Sequence, residues 1–335
     1  MQYKSLGRTG LQVSAACLGT MTFGADPNDW GCTEEESNKI ISKALALGVN
    51  FFDTANIYSR GISETIVGKA LKNKRSQIII ATKGHGKMHD TDPNAWGNTR
   101  RNIIQACEAS LKRLQTDWID LYQIHRPQPS VPIDETLHAL DDLIHQGKIR
   151  YAGCSTFAGW QVCEAHYVAK ALGLNGFQTE QPPYNLLDRR IERELLPFCK
   201  TYDYGVITWS PLAGGQLSGK YLQEMPIEGR YVKNDPQGRF YKQNGGIIQK
   251  LKEVADQHNM SLTTLSIAWI ASQPGITCPI IGARKLSQLE ECVMGCQIHL
   301  DEAVLLQIDK IVPPMSYQID YYSSPFFGPN ARPLC

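Results

Sequence analysis

The 335-residue chain carries 34 lysine and arginine residues against 33 aspartate and glutamate residues, a formal net charge of +1 at pH 7. This balance creates no field that would attract nucleic acid or an anionic membrane, and neither is expected as a partner. The start, Met1-Gln2-Tyr3-Lys4, has no apolar signal region, and the most apolar helix candidate, residues 265–270, is too short to span a bilayer. The ten cysteines form no regular framework, which suggests reduced thiols and a cytoplasmic location.

Strand and helix patterns alternate along the chain. A β-hairpin is predicted from residues 4–7 and 11–14, and the first helix is predicted to begin at the capping box Thr33-Glu34-Glu35-Glu36. Eight strands are predicted, at residues 15–18, 50–53, 78–82, 118–124, 149–153, 176–179, 205–209 and 277–281. The second, third and fourth of them are short apolar runs bounded by polar residues, a pattern typical of buried parallel strands. Further helices are predicted near residues 63–71, 104–114, 133–147, 157–172, 190–201, 247–257, 261–272 and 301–311.

Because strand and helix alternate eight times without a break in composition, we predict one α/β domain over residues 1–335, folded as a (β/α)8 TIM barrel. Its functional loops should lie at the C-terminal face. A doubly wound sheet is less favoured, since no Gly-x-Gly-x-x-Gly follows a strand. A long loop at about 212–244 and a C-terminal tail at about 313–335 lack periodicity, and loops of that length are usually functional or disordered.

Three of the predicted strands are followed by groups suited to proton transfer. The first ends at Asp53 with Tyr58 five residues on, the second ends at Lys83 and the third ends at His125. Charged residues at the C-terminal ends of barrel strands are typical of catalytic sites. A lysine cation beside a tyrosine favours the phenolate, and a carboxylate keeps that lysine charged. Each residue taken alone could instead be a turn, surface or satisfied loop residue; their recurrence at successive strand ends favours a site.

Two local patterns are weaker. Residues 214–220 have P-loop spacing, but Tyr221 stands where a magnesium-binding hydroxyl is needed, so we reject nucleotide triphosphate hydrolysis; the loop could still wrap a pyrophosphate. His85 and His89 have metal-ligand spacing, but Gly84 and Gly86 oppose the helix that would align them and no third ligand is evident. No metal is predicted, and a structural or substrate-loop role is favoured for the two histidines.

The last strand meets Gly282-Ala283-Arg284-Lys285 and a helix predicted to be opened by the capping box Ser287-x-x-Glu290. A helix N-terminus attracts anions, and an arginine adds a bidentate grip on phosphate. The junction is therefore either a phosphate site or a solvated first turn.

Eight motifs occur in a characteristic order: Leu18-Gly19-Thr20-Met21-Thr22-Phe23-Gly24, Phe52-Asp53-Thr54-Ala55-x-x-Tyr58, Ala81-Thr82-Lys83, Ile124-His125-Arg126, Lys148-Ile149-Arg150-Tyr151-x-Gly153-Cys154-Ser155, Gln178-Thr179-Glu180-Gln181, Trp209-Ser210-Pro211-Leu212 and Pro279-Ile280-Ile281-Gly282-Ala283-Arg284. From residue 6 to about residue 296, the sequence resembles the aldo-keto reductases. The resemblance implies a (β/α)8 barrel whose N-terminal hairpin closes the bottom. It also implies reversible, NADPH-dependent reduction of an aldehyde or ketone to an alcohol.

The resemblance also implies roles for the strand-end residues. Tyr58 would be the general acid, Lys83 would make it a stronger acid, Asp53 would pair with Lys83, and His125 would orient the carbonyl. Tyr58 and His125 would thereby contact the substrate, and Trp30 is a further candidate for its pocket. Trp96 and the tail residues Tyr321, Tyr322, Phe326 and Phe327 could line the pocket or simply pack.

The cofactor residues are likewise implied by the resemblance. Nicotinamide would lie against Trp209, with its carboxamide held by Ser155, Thr156 and Gln178. The pyrophosphate would follow Ser210, Pro211, Leu212 and Gly214, with Lys220 and Arg230 above it. The 2′-phosphate end would be held by Gly282, Arg284, Gln288 and Glu291, and the remaining cofactor candidates are Gly19, Thr20, Met21 and Asp53. Thr156 and Cys292 depart from the family, where many members have asparagine.

An alternative comes from the potassium-channel β-subunits, which resemble this barrel and its cofactor loop but act mainly as interaction proteins. Those subunits usually have asparagine where this chain has His125, so His125 favours an enzyme acting on a small carbonyl compound.

Overall fold

A closed barrel of eight parallel strands forms the centre of the computed structural model, which describes residues 1–24, 31–222 and 239–322. In chain order the barrel strands are β3 (Cys17–Gly19), β4 (Phe51–Asp53), β5 (Ile79–Gly84), β6 (Ile119–Ile124), β7 (Ile149–Ser155), β8 (Phe177–Gln181), β9 (Gly205–Thr208) and β10 (Cys278–Ile281). Each strand pairs with the next along the chain, and β10 closes the barrel against β3. The predicted (β/α)8 TIM barrel is confirmed.

Helices surround the barrel. They are α1 (Glu34–Ala46), α2 (Ile62–Leu71), α3 (Arg100–Leu114), α4 (Ile133–His145), α5 (Gly159–Leu172), α6 (Leu195–Thr201), α7 (Arg239–Gln257), α8 (Leu262–Ser272), α9 (Leu286–Gly295) and α10 (Glu302–Ile311). The predicted capping box at Thr33 is confirmed, because its hydroxyl accepts from Glu36 N at 3.2 Å and Glu36 Oε2 accepts from Thr33 N at 2.8 Å. In the described ranges, no helix is both long and apolar enough to cross a membrane.

Several predicted boundaries were wrong, and two of them change the helices. The helix predicted over 190–201 is split into a 3-10 turn, Arg190–Glu192, and α6. Pro197 has no N–H to donate to an earlier carbonyl, so the helix begins afresh close to it. The loop predicted to reach residue 244 ends sooner, at the start of α7. Two adjacent glycines at 245 and 246 weaken the helical pattern there, yet buried Ile248 and Leu251 further on anchor the helix to the core.

The hairpin of β1 (Tyr3–Ser5) and β2 (Gln12–Ser14) closes one end of the barrel, as the resemblance implies. Leu6 and Val13, both fully buried, pack into the barrel interior with Cys17, Phe51 and neighbouring apolar side chains. The strands terminate at the opposite end, where a site is expected.

Strand register brings the predicted strand ends to one level. Asp53 is paired with Gly19 on one side and with Ala81 on the other. Lys83 is paired with Gln123, and Ser155 with Gln181. Since alternate residues of a strand point to the same face, these positions place several polar side chains inside the rim of the barrel.

Candidate active site

Lys83 lies at the centre of the site. Its side chain has no exposed area, and Nζ donates to Asp53 Oδ2 at 2.5 Å, to the Thr54 carbonyl at 2.9 Å and to the Tyr58 hydroxyl at 3.1 Å. Burial acts to lower the pKa of Lys83, but Asp53 and Tyr58 outweigh it and the pKa is raised above its ordinary value. The side chain is therefore an ammonium at neutral pH, and all three of its N–H groups are occupied.

Two glutamines that the sequence analysis missed hold the Asp53 carboxylate. Oδ1 accepts from Gln123 Nε2 at 3.2 Å and from Gln181 Nε2 at 2.8 Å, and the latter also donates to Gln123 Oε1 at 3.2 Å. Both are inside the rim at strand ends, which is the signal that could have identified them. With Lys83 on Oδ2 and the amides on Oδ1, the carboxylate is fixed in orientation.

His125 faces Tyr58, with the two ring centroids 5.8 Å apart and the ring planes at 82°. The backbone N–H of His125 donates to the Gly84 carbonyl at 3.0 Å, which anchors the loop after β6 to the end of β5. Burial lowers the pKa of His125 well below its ordinary value, and the nearby cations Arg126 and Lys83 add to the effect. The imidazole is therefore neutral at neutral pH and has one N–H to donate.

His85 lies beside this group and has a defined tautomer. Asn98 Nδ2 donates to the Arg126 carbonyl at 2.9 Å, so Asn98 Oδ1 is the atom that faces His85 Nδ1 at 2.8 Å. Nδ1 must then carry the proton, which leaves Nε2 as an acceptor. The Trp96 ring packs edge-on at 6.0 Å, and burial lowers the pKa of His85. In the described part of the chain, no group of three or more His, Cys, Asp or Glu side chains could hold a metal ion.

The predicted nicotinamide residues at two strand ends lie together. Thr156 Oγ1 accepts from Trp209 Nε1 at 3.3 Å and from Arg126 Nη1 at 3.1 Å, while Ser155 Oγ donates to the Gln181 carbonyl at 2.9 Å. Arg126 was not predicted; its guanidinium lies 5.8 Å from the centroid of the Trp209 ring. These contacts join the ends of β6, β7 and β9 around one indole.

Gln178 does not belong to this group, and its predicted carboxamide contact is wrong. It lies near the start of β8, where Nε2 donates to the Gly176 carbonyl at 2.9 Å. It lines a surface cleft of about 660 Å³ at the opposite end of the barrel, together with Arg8 and Arg150. The strand extends two residues beyond the predicted 176–179 and ends at Gln181. Gln181 is three residues beyond Gln178, about 10 Å along the strand at the usual rise per residue.

The C-terminal tail reaches the Trp209 indole. The Tyr321 ring packs against it with centroids 4.9 Å apart at 73°, and the hydroxyls of Tyr321 and Ser210 are 3.0 Å apart. Tyr322 is buried nearby, with the Arg190 guanidinium 5.0 Å from its ring. The pocket candidates Trp30, Phe326 and Phe327 lie outside the described residues.

The junction before α9 differs in detail from the prediction. The helix begins at Leu286, and Gln288 Oε1 accepts from the backbone N–H groups of Arg284 (3.0 Å) and Lys285 (3.2 Å). The predicted Ser287–Glu290 box is wrong, because Glu290 instead pairs with Lys43 at 2.5 Å. Gln288 therefore occupies amides that were expected to be free for a phosphate.

Other cofactor candidates are distributed around the same rim. Arg284 is half-buried and pairs with no carboxylate among the described residues, whereas Glu291 Oε1 accepts from Ser261 Oγ at 2.5 Å. Gly214 has a φ of 67° within a 3-10 turn, Ala213–Ser218, and Lys220 lies 4.9 Å from the Tyr221 ring. The others are Gly19, Thr20 and Met21 after β3, Pro211 and Leu212 before that turn, and Gly282 after β10. Arg230 lies outside the described residues.

A parallel eight-stranded barrel with a tyrosine, lysine, aspartate and histidine at its C-terminal rim defines a (β/α)8-barrel protein equipped for proton transfer. The model of the Aldo/keto reductase family matches residues 15–313, and the chain belongs to this family. The resemblance drawn from the sequence motifs is thus confirmed.

The relatives fall into two kinds. The chain is 36% identical to the uncharacterized oxidoreductase YrpG of Bacillus subtilis, over 93% of this chain and 96% of the relative. It is 34% identical to the versiconal hemiacetal acetate reductase of Aspergillus parasiticus, over 90% of this chain and 94% of that protein. It is also 37% identical to a protein of Oryza sativa named "Probable voltage-gated potassium channel subunit beta", over 96% of this chain and 100% of that protein. Family membership and the oxidoreductases among the relatives support carbonyl reduction as the general class of activity.

Proposed function

We propose that this protein reduces an aldehyde or ketone to an alcohol with NADPH, in a reversible reaction in which Tyr58 is the general acid. The observation that carries the proposal is the Tyr58 hydroxyl, 3.1 Å from the buried ammonium of Lys83 and facing a neutral histidine.

The residues at the rim fit a nicotinamide dinucleotide by their chemistry. The nicotinamide ring would lie against the Trp209 indole, whose Nε1 donates to Thr156 Oγ1, with the Ser155 hydroxyl 3.3 Å from that oxygen. Gly214 is in the left-handed region, a conformation in which backbone N–H groups can form an anion-binding concavity. Arg284 is the residue that would hold the 2′-phosphate. When bound, NADPH would supply a hydride to the carbonyl carbon.

The proton would come from Tyr58. Lys83 donates to the tyrosine oxygen, so the hydroxyl hydrogen of Tyr58 remains free to point to a carbonyl oxygen. As that hydrogen leaves, the ammonium stabilises the phenolate left behind, and Asp53 keeps the ammonium charged. Alcohol oxidation uses the same residues in reverse, with the phenolate as general base.

His125 would orient the substrate rather than supply the proton. Because its pKa is lowered well below the ordinary value, the ring holds no labile imidazolium proton at neutral pH. A neutral imidazole can still donate one hydrogen bond to the carbonyl oxygen and so direct it to the Tyr58 hydroxyl.

The test is Tyr58→Phe, compared with Tyr122→Phe. Tyr122 is a fully buried tyrosine of β6 whose hydroxyl has no hydrogen-bond partner among the described residues, so its loss controls for removing a buried phenol. Tyr58→Phe should lower kcat by about a hundredfold or more, the range of general acid catalysis, while NADPH still binds. Near-normal turnover in Tyr58→Phe would remove this residue from the mechanism.

A second function is favoured by one observation, the 37% identity to the Oryza sativa protein over its whole length. The barrel would then bind NADPH and act mainly through interaction with another protein. The two proposals separate on turnover: a tetramer in gel filtration that binds NADPH but reduces no carbonyl compound would favour the interaction protein.

A further inference from the structure

Tyr58 stands at the start of an unusual turn. It begins the 3-10 turn Tyr58–Gly61, in which Ser59, Arg60 and Gly61 have φ values of 48°, 51° and 92°. Two successive non-glycine residues in the left-handed region are unfavourable, and such backbone persists only where surrounding contacts determine it. The position of the Tyr58 hydroxyl therefore depends on what holds this turn.

The turn is held from below by Arg113 of α3. A Cβ on Gly61 would lie only 2.7 Å from Arg113 Cδ, so the arginine stem packs directly against the glycine. Arg113 Nε donates to Glu64 Oε2 at 2.6 Å, in the first turn of α2, and the Glu64 side chain has no exposed area. The ion pair fixes the stem, and the stem fixes the turn.

The same carboxylate reaches the strand that carries the lysine. Glu64 Oε1 accepts from Thr82 Oγ1 at 2.5 Å, and Thr82 directly precedes Lys83 in β5. Since neighbouring residues of a strand point to opposite faces, Thr82 faces the helices while Lys83 faces the barrel interior. One buried carboxylate thus connects the backbone of Lys83 to the turn of Tyr58, from outside the barrel wall.

We propose that Glu64 and Arg113 are positioning residues, which set the distance between the Tyr58 hydroxyl and Lys83 Nζ. In the described structure neither makes a hydrogen bond to Asp53, Tyr58, Lys83 or His125, so they act through Thr82 and Gly61. The inference rests on the proposed role of Tyr58 as proton donor. A misplacement of about 1 Å at a reacting group can cost about a hundredfold in rate, which sets the scale expected here.

The first variant is Arg113→Lys, which keeps a cation for the buried carboxylate but lacks Nε and Cζ, the atoms that lie beneath Gly61 next to Cδ and, through Nε, fix the stem to Glu64. We expect kcat to fall about ten- to a hundredfold, with the KM for the carbonyl compound and the NADPH affinity nearly unchanged. The alkaline limb of the kcat profile against pH should also move, because the ammonium is no longer set at its distance from the phenol. Glu64→Gln keeps the shape and one acceptor oxygen for Arg113, and its amide can donate to the Thr82 hydroxyl, so it should recover part of the kcat that Glu64→Ala loses.

The matched control is the pair Arg75–Asp120. It is also a largely buried ion pair, at 2.7 Å with both side chains 11% exposed, but Asp120 lies near the start of β6, at the far end of the barrel. Arg75→Lys should lower the melting temperature without moving kcat or its pH profile. If Arg113→Lys and Arg75→Lys change kcat equally at comparable melting temperatures, the positioning role is refuted.

Further variants distinguish a failure to fold, a failure of the proposed function and a failure of the positioning role. Should the variants of Glu64 and Arg113 fail to fold, Thr82→Val leaves that ion pair intact and breaks only the connection to Lys83; normal kcat there would overturn the inference. Active Tyr58→Phe would refute the proposed function itself. Inactive Tyr58→Phe with normal Arg113→Lys would refute the positioning role alone.

Discussion

Replacing Arg284 by alanine tests how the protein would distinguish NADPH from NADH. Arg284 is half-buried before α9 and pairs with no carboxylate in the described ranges, so its guanidinium is available to a 2′-phosphate. The backbone N–H groups of Arg284 and Lys285 are already bound by Gln288 Oε1, which leaves the side chain as the main source of attraction.

The magnitude follows from the charge of the contact. A hydrogen bond to a charged group contributes roughly 1.5–3 kcal/mol. Each 1.4 kcal/mol is about tenfold in affinity, so Arg284→Ala should weaken NADPH binding by about ten- to a hundredfold. Lys285 is exposed next to it and can compensate in part, which favours the lower end; the double variant with Lys285→Ala should reach the upper end. NADH lacks the 2′-phosphate and should bind almost equally to all three proteins.

Fluorescence quenching titrations of both cofactors, into wild type and each variant, measure these affinities. Repeating the NADPH titration at higher salt should reduce the difference between the proteins, since screening weakens an exposed ionic contact. Equal losses for NADPH and NADH in Arg284→Ala would mean that Arg284 is structural, and the phosphate assignment would be refuted.

Three further changes test other parts of the site. Gln181→Leu removes a donor to the Asp53 carboxylate, so it should lower kcat and reduce the unfolding free energy measured in urea by about 1.5–3 kcal/mol. Gln178→Leu, at the other end of the same strand, should change neither quantity. Equal effects of the two variants would contradict the placement of the two glutamines. His85→Phe removes the Nε2 acceptor. The KM of carbonyl compounds that carry a nearby hydroxyl should therefore rise more than the KM of analogues without that hydroxyl. An equal rise for both kinds of compound would count against the acceptor role of His85. Burial lowers the pKa values of His125 and His85, so the unfolded chain binds protons that the folded chain does not as pH falls below about 6.5. The unfolding free energy should therefore fall there by up to about 1.4 kcal/mol per pH unit per histidine. Urea titrations should show a shallower dependence of unfolding free energy on pH in His125→Asn, and an unchanged dependence would show that His125 is not held neutral.

The architecture could be predicted from the sequence because its signals are local and repeated. Several barrel strands, among them β4, β5 and β6, are buried and coincide with short apolar runs, and the alternation with helices specifies a parallel barrel. Asp53, Lys83 and His125 stood out because a charged or titratable residue ended such a run. Parallel strand ends meet at one rim, so their proximity followed from the fold.

What was missed depends on details with no local signature. The amide partners of Asp53 Oδ1, Gln123 and Gln181, lie at strand ends but carry no charge, so they are less conspicuous there than Lys83 or His125. Gln178 was assigned to the carboxamide from the resemblance, with the strand predicted to end at about residue 179, whereas the strand continues to Gln181. The pairing of β7 with β8 also shifts register between Ala152 and Gly153. The left-handed backbone after Tyr58 is equally hidden, since two of its three residues are not glycine.

Turnover of a carbonyl compound with NADPH can be measured by mixing the wild-type protein with NADPH and a panel of aldehydes and ketones. We expect NADPH absorbance to fall, matched mole for mole by alcohol product, for at least one class of compound, and we expect that loss to depend on Tyr58. Saturable NADPH binding with no oxidation by any member of the panel would contradict the proposed function.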